Sequence, residues 1–466
     1  MSDGKTATAS PNPSGRTLPW RDLRWISSGV LLSFLAFVLW GLFGPEPPIV
    51  VSRATTFVTE PLAADGLPDY SAAVVAAYGP RPPPEENAAV PLVVMHRDLM
   101  ERPAMVPIIL GWLGRELPAA GQDDGPALRP EDVTCIIREL IEDPFVPSVA
   151  DVRDHLVEAA IAKPEVAAAI GRSAAALDGL VEVSRLPGYW CPGVAWIATP
   201  PGHTGPRLPR LDSAVEDAVE QGAVLLLCRA AWHARGGRFP EAWQDLLAMH
   251  RLARLMAAVR PARSLASLRI AAFASDGAKR LLTLPGLPAA ERAIIRRDLD
   301  ALPPLVDCGG WLTLHRLEDL ERIVWMARRC PTGRSGRGAA WPWVGKPPWL
   351  FMSLDWNVVL RRVNERLDEG EAVASLPLAA DRQAAWGQME SDWPTARPPQ
   401  GWRAVASPIA YAVSREARSV FVADEFLKQY FFERPRDADE HLVRAREAFA
   451  QARAAASDFR GRHQVR

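Results

Sequence analysis

FPEAWQDLLAMHRLARLMAA, residues Phe239 to Ala258, decides the fold class. Ala242, Leu246, Met249, Ala253 and Met256 recur at steps of 4, 3, 4 and 3, which places them on one face of an α-helix. Trp243 and Leu247 widen that apolar stripe. The preceding run, Asp212 to Arg235, sets Val215, Val219, Gly222 and Leu226 on one face, and Gly236-Gly237 supplies its stop. The two runs read as a helical hairpin with a short turn.

The same period recurs outward in both directions. It is present in Glu131–Glu142, Ser148–Ala162, Glu165–Leu177, Ala262–Leu282, Ala289–Leu299, Trp311–Arg329, Leu354–Glu369, Ser414–Phe432 and Asp437–Phe459. Sustained alternation of period two is scarce and no strand–helix–strand rhythm appears, so the fold class is all-α. Packed helical hairpins, extending toward a solenoid, are the expected architecture. Gly237, Phe239, Ala242 and Leu246 match positions of a tetratricopeptide unit, but such units need stacked neighbours and no strict repeat is present. Breaks fall at Leu117–Pro130, Arg185–Arg210 and Cys330–Pro348.

One stretch is apolar without periodicity. Trp25 to Phe43, WISSGVLLSFLAFVLWGLF, holds 19 residues and no charge. A helix of that length, at about 1.5 Å per residue, nearly spans a hydrocarbon core of about 30 Å. Trp25 and Trp40 fall toward its ends, where indoles favour the interface, and Gly44, Pro45, Pro47 and Pro48 end it. Lys5, Arg16, Arg21 and Arg24 precede the span, whereas the first basic residue after it is Arg53. Retention of positive charge inside predicts a cytoplasmic N-terminus and an extracytoplasmic domain. A cleavable signal peptide would have a shorter apolar region with small residues soon after it, so an uncleaved single-pass anchor is expected.

The expected organisation is therefore a disordered cytoplasmic tail (1–24), a transmembrane helix (25–43) and a Pro-rich stalk (44–67). A main helical domain (68–330), a Trp/Pro/Gly-rich loop (331–352) and a C-terminal helical region (353–466) follow. The 54 Lys and Arg against 55 Asp and Glu give a net charge of −1. The tail carries net +2, which leaves −3 for the chain beyond the span. That balance excludes a general nucleic-acid binder. Positive charge comes from 49 Arg and only 5 Lys, scattered rather than clustered, as a GC-rich coding sequence produces. Proline, at 43 residues, is about twice its usual share, so many breaks should punctuate the helices. Cys135, Cys191, Cys228, Cys308 and Cys330 are widely spaced and odd in number, which excludes the usual zinc-ribbon spacings and a dense disulfide framework.

Three segments carry a resemblance. TTFVTEPLAADGLPDYSAAV (Thr55–Val74) with PPPEENAAVPLVV (Pro82–Val94), GRFPEAWQDLLAMHRLARL (Gly237–Leu255) and LDWNVVLRRVNERLD (Leu354–Asp368) resemble a family of uncharacterised single-anchor membrane proteins of planctomycete bacteria. Ala77–Arg81 departs from that pattern, which has a longer helix end there. The resemblance implies an anchor and an envelope location, and transfers no activity.

Chemistry is sparse. No H-E-x-x-H or G-x-S-x-G occurs, and Gly338–Lys346 lacks both the glycine spacing and the Ser or Thr of a phosphate loop. Asp151, His155 and Glu158, and separately His315 and Glu318 with Arg322, share helix faces. Solvated ion pairs explain them better than metal ligation. His250, at the edge of the apolar stripe beside Trp243, reads as a hydrogen-bonded core-edge residue. His203 in the 185–210 loop, with Trp190, Cys191 and Trp196 upstream, is the weak candidate for a Cys–His nucleophile pair. Glu85, Glu86 and Asn87 read as the start of a helix after three prolines.

Aromatic residues are more telling. Trp341, Trp343, Trp349, Trp356, Trp386, Trp393 and Trp402 put seven of 17 Trp into 62 residues. Trp341, Trp343 and Trp349 with Arg334 and Arg337 form a candidate contact surface, for a headgroup layer or a protein, unless the indoles fill core. The expected partners are the lipid bilayer through 25–43 and an envelope protein, with no cofactor, no metal and no nucleic acid. The functional expectation is an interaction or scaffold module of the cell envelope, leaning away from an enzyme. The alternative is an envelope hydrolase or metal-dependent enzyme with its site near residues 185–210.

Overall fold

Gly237 takes a left-handed φ of 70°, and the chain reverses there. Its N–H donates to the Ala234 carbonyl at 3.0 Å, and Arg238 N–H donates to the His233 carbonyl at 2.9 Å. This is the glycine stop expected after Arg235. The helices on either side are α9 (Ala214–Arg235) and α10 (Phe239–Ala258) in a computed structural model of the chain. The structure describes residues 20–100, 106–115, 126–140, 156–191, 214–258, 265–305, 309–329, 353–391, 414–430 and 433–457.

Among the described residues every regular element is helical. The N-terminal half contains α1 (Trp20–Phe43), α2 (Tyr70–Tyr78), α3 (Ala89–Met95), α4 (Val106–Trp112), α5 (Pro130–Leu140), α6 (Val157–Ile161), α7 (Pro164–Arg172) and α8 (Ala174–Val183). After the hairpin come α11 (Leu265–Thr283), α12 (Ala289–Ala301) and α13 (Gly309–Arg329). The last four are α14 (Trp356–Ala374), α15 (Ala379–Ser391), α16 (Arg415–Tyr430) and α17 (Glu433–Ser457).

The predicted stripe of α10 is core throughout: Ala242, Leu246, Met249, Ala253 and Met256 are all buried. Each larger apolar side chain there contributes about 1.5–3 kcal/mol relative to exposure. So do Trp243 and Leu247 on its flank, because α10 is covered by α8, α9, α11 and α12. Helix α11 packs against α9, α10 and α17. Gly277 lets α9, α10 and α11 come this close. A Cβ placed there would lie 2.6 Å from Leu246 Cδ2 and 3.0 Å from Leu227 Cδ1. Gly277→Val should therefore lower stability by about 2–3 kcal/mol through overpacking. Gly171→Ala on α7, where a Cβ meets open space, should raise it by about 0.5–1 kcal/mol. Chemical denaturation of the two variants checks the contrast; equal effects would mean that the three-helix contact is slack.

Two expectations about helix ends are corrected. Glu165–Leu177, read as one helix, is divided at Ser173 into α7 and α8. Ser173 has ψ near 0°, and its hydroxyl is directed at Asp132 on α5 at 3.4 Å. The chain after the three prolines does not enter a helix at Glu85–Asn87: turns donated by Glu86 and Asn87 N–H precede α3, which begins at Ala89.

The 44–67 stretch lies along α13 and α14. Glu46 accepts from Leu354 N–H at 3.2 Å and from Trp356 Nε1 at 2.7 Å. Asn357 Nδ2 donates to the Pro48 carbonyl at 2.9 Å, and its Oδ1 accepts from Val50 N–H at 2.7 Å. Asn364 Nδ2 reaches the Thr55 carbonyl at 2.6 Å, while Tyr70 Oη donates to Thr56. Phe57, held at a φ of 59°, lies under the guanidinium of Arg316 at 4.4 Å.

Residues 25–43 fall within α1. Counting only described residues, no helix is long and apolar enough to cross a membrane. Within α1 the described side chains are those of residues 28–37, 39 and 40.

Candidate functional site

Arg334, Arg337, Trp341, Trp343 and Trp349 lie outside the described residues, as do Trp393, Trp402, Asp151, His155, Trp196 and His203. Of the seven clustered indoles, Trp356 and Trp386 are described, and both are buried in the core. His315 Nδ1 sits 3.3 Å from Glu318 Oε2 on α13, the contact that the i, i+3 spacing suggested, but both side chains are largely buried rather than on a solvated face. Among the described residues no group of three His, Cys, Asp or Glu could hold a metal ion.

The described part of the 185–210 loop is a clamp. Asn87 Oδ1 accepts from Trp190 N–H at 2.9 Å and from Ala89 N–H at 3.1 Å. Its Nδ2 donates to the Trp190 carbonyl at 2.9 Å. Trp190 stacks on Trp112 with ring centroids 4.6 Å apart, and its Nε1 donates to Gly79. Cys191 beyond it is buried, and burial pushes its thiol up to about 12. A thiol so placed stays protonated near neutrality, the opposite of an activated nucleophile.

Charged groups gather between helices instead. Arg229 on α9 makes a two-pronged pair with Asp245 on α10, at 2.6 and 3.0 Å, and its third arm reaches Asp178 on α8 at 2.7 Å. Arg229 and Asp245 are both almost fully buried. Burial pushes the Asp245 carboxyl up to about 6 even though Arg229 opposes the shift. His233, 3.9 Å from Asp245, is pushed down to about 4 by burial and then by Arg238 and Arg229. A second two-pronged pair joins Arg269 on α11 to Glu220 on α9, both contacts at 2.5 Å. Arg172 reaches from α7 to Asp132 on α5 at 2.5 and 2.9 Å. These pairs fix the register of helices rather than line a cleft.

His250 corrects a sequence expectation. It is fully buried, and neither ring nitrogen has a hydrogen-bond partner among the described residues. Its ring stands edge-on to Phe449 of α17, at 5.6 Å, and tilted to Trp243 at 6.4 Å. Burial, then the neighbouring Arg254, push it down to about 3. The stripe's edge became interior because α17 covers that side of α10, a contact between residues nearly 200 positions apart in sequence.

A cleft of about 510 Å³ opens between α15 and α17, lined by Gln383, Trp386, Asp439, Val443, Arg444 and Glu447. Asp439 is already engaged with Arg382 at 2.7 Å.

Among the described residues the most exposed apolar surface belongs to α1. All twelve of its described side-chain positions are exposed. Val30, Leu31, Leu32, Phe34, Leu35, Phe37, Leu39 and Trp40 are 47–66% exposed, and at about 100° per residue they cover every side of the helix. At its end Gly44 N–H donates to the Trp40 carbonyl at 2.8 Å. A Cβ on Gly44 would lie 3.2 Å from Arg415 Nη2 of α16. The uncharged apolar stretch 25–43 was legible from its composition. Glu46, Asn357 and Arg415, which join its end to the domain, were not, since each is an isolated polar residue with a partner about 300 or more positions away.

Comparison with protein-family models, curated proteins and solved structures yields no match to this chain.

Proposed function

We propose that α1 crosses a bilayer once, with the N-terminus cytoplasmic, and holds an extracytoplasmic helical domain that serves as an interaction or scaffold module of the cell envelope. The exposure of α1 carries the reading. A helix whose described side chains are exposed and apolar on all sides, with none of the other described helices packed over them, needs an apolar solvent, and its backbone is already satisfied internally. Completing the stretch to residues 25–43 gives the length of a span, and the basic residues before it set the orientation. The resemblance to single-anchor planctomycete proteins points the same way. A scaffold role is supported by the placement of the described charged pairs: they lock helices together inside the domain.

Alkaline carbonate should leave the full chain in the membrane pellet, and a chain lacking residues 1–43 should appear in the supernatant. Protease added to spheroplasts should digest the domain and spare the tail. Release of the full chain by carbonate would sink the anchor, and protection of the domain would reverse the orientation. Cross-linking before detergent extraction should recover a stoichiometric protein partner, and a consistently solitary monomer would count against the scaffold role.

A further inference from the structure

The end of α1 is joined to the domain with almost no slack. Only two residues separate Phe43 from Glu46, whose carboxylate already holds the start of α14 through Leu354 N–H and Trp356 Nε1. The three steps from Phe43 to Glu46 reach at most about 11 Å. Asn357 then takes both the Pro48 carbonyl and the Val50 N–H, so the free stalk shrinks to Gly44 and Pro45, about which the domain can tilt but from which it cannot drift away. The first turns of α14 and α16 are linked to each other, because Asp355 N–H donates to Ser419 Oγ at 2.8 Å. Wherever α1 ends, that end of the domain is present.

Arg415 opens α16 at this joint, with its Nη2 over Gly44 and within reach of the Trp40 indole edge that borders the same glycine. Its side chain is half-buried, and no carboxylate among the described residues pairs with it; Arg418, on the same turn, is another cation. A partly desolvated guanidinium without a carboxylate calls for an anion. At the point where an apolar helix becomes polar, beside an interfacial indole, the available anion is a lipid phosphate, which a guanidinium binds in fork geometry.

We propose that Arg415 binds a phospholipid headgroup phosphate where α1 leaves the bilayer, so that the end of the domain formed by the first turns of α14 and α16 is seated on the membrane surface. This rests on the anchor reading above. It goes beyond it by naming the lipid contact and by excluding a domain that hangs free in solution.

The test uses the full chain in nanodiscs of phosphatidylcholine and phosphatidylglycerol that carry a headgroup-attached quencher. A fluorescent non-natural amino acid is encoded at exposed position 416, beside Arg415, or at exposed position 279 on α11. Quenching at 416 should exceed that at 279 about fivefold, the effect of one cation held at an anionic surface. Arg415→Gln should remove most of that excess, and Arg415→Lys, which keeps a phosphate-binding charge, should retain it. Equal quenching at both positions, or an excess that Arg415→Gln leaves intact, would overturn the proposal. If carbonate extraction in parallel still leaves the chain in the membrane, the anchor survives that failure. If carbonate strips the chain, the anchor and the headgroup contact fall together.

Discussion

Arg229→Leu is expected to destabilise the full chain by about 3–5 kcal/mol, the usual cost of leaving one partner of a buried ion pair alone. Arg229 and Asp245 are 7% and 3% exposed, and their two contacts are 2.6 and 3.0 Å. Without the guanidinium, Asp245 sits between α9 and α10 with only His233, held neutral near pH 7 by burial, 3.9 Å away. Chemical denaturation in detergent micelles, followed by tryptophan fluorescence, measures the loss. The double variant Arg229→Leu with Asp245→Leu should recover most of it, since matched apolar replacements of buried pairs are often neutral.

The loss should also depend on pH in a definite direction. A carboxyl whose folded-state pKa lies above its unfolded value binds more protons when folded, so falling pH favours the folded state. Asp245 is already raised to about 6 with Arg229 present, and removing that opposing cation raises it further. The deficit of Arg229→Leu should therefore shrink as pH falls from about 7.5 to about 5.5. A deficit below about 1 kcal/mol, the level of an exposed pair, would show that water screens the cluster.

This pair illustrates how far the sequence could be read. Helix α10 was legible to both ends because its large apolar residues keep the 3–4 spacing, and the two glycines after Arg235 leave little choice of stop. Its polar residues were opaque. Asp245 and His250 occupy positions that a solvated face would also use, and only Arg229 of α9 over Asp245 and Phe449 of α17 against His250 mark them as interior. Ser173 could divide α7 from α8 unnoticed because GRSAA contains no strong breaker once Gly171 is accepted within the helix. Helix α15 escaped notice for a related reason: its buried apolar residues, Trp386 and Met389, are set among Ala, Gly and Gln, too sparse for a stripe. The clamp of Asn87 on Trp190 and the Glu46–Trp356 contact join residues over 100 and 310 positions apart, and local patterns carry no trace of such distances.

His250→Leu is expected to stabilise the chain by about 1–3 kcal/mol near neutral pH, because it removes two buried ring nitrogens that have no hydrogen-bond partner among the described residues. Leucine is close in volume and suits the apolar contacts with Trp243 and Phe449. The gain should grow in acid. His250 is held down at about 3, whereas an unfolded histidine titrates near 6.5. Between those values the unfolded chain binds the extra proton, so the wild-type chain loses stability as pH falls through that window, by at most about 1.4 kcal/mol per pH unit. From pH 7 to pH 5 the gap between variant and wild type should widen by about 2 kcal/mol. His96 and His233, both pushed down to about 4, act in the same direction but are common to both chains, so the difference isolates His250. Denaturant midpoints at the two pH values measure it. A gap that stays constant would mean that His250 titrates alike in both states, which a ring wedged between α10 and α17 without a polar partner cannot do.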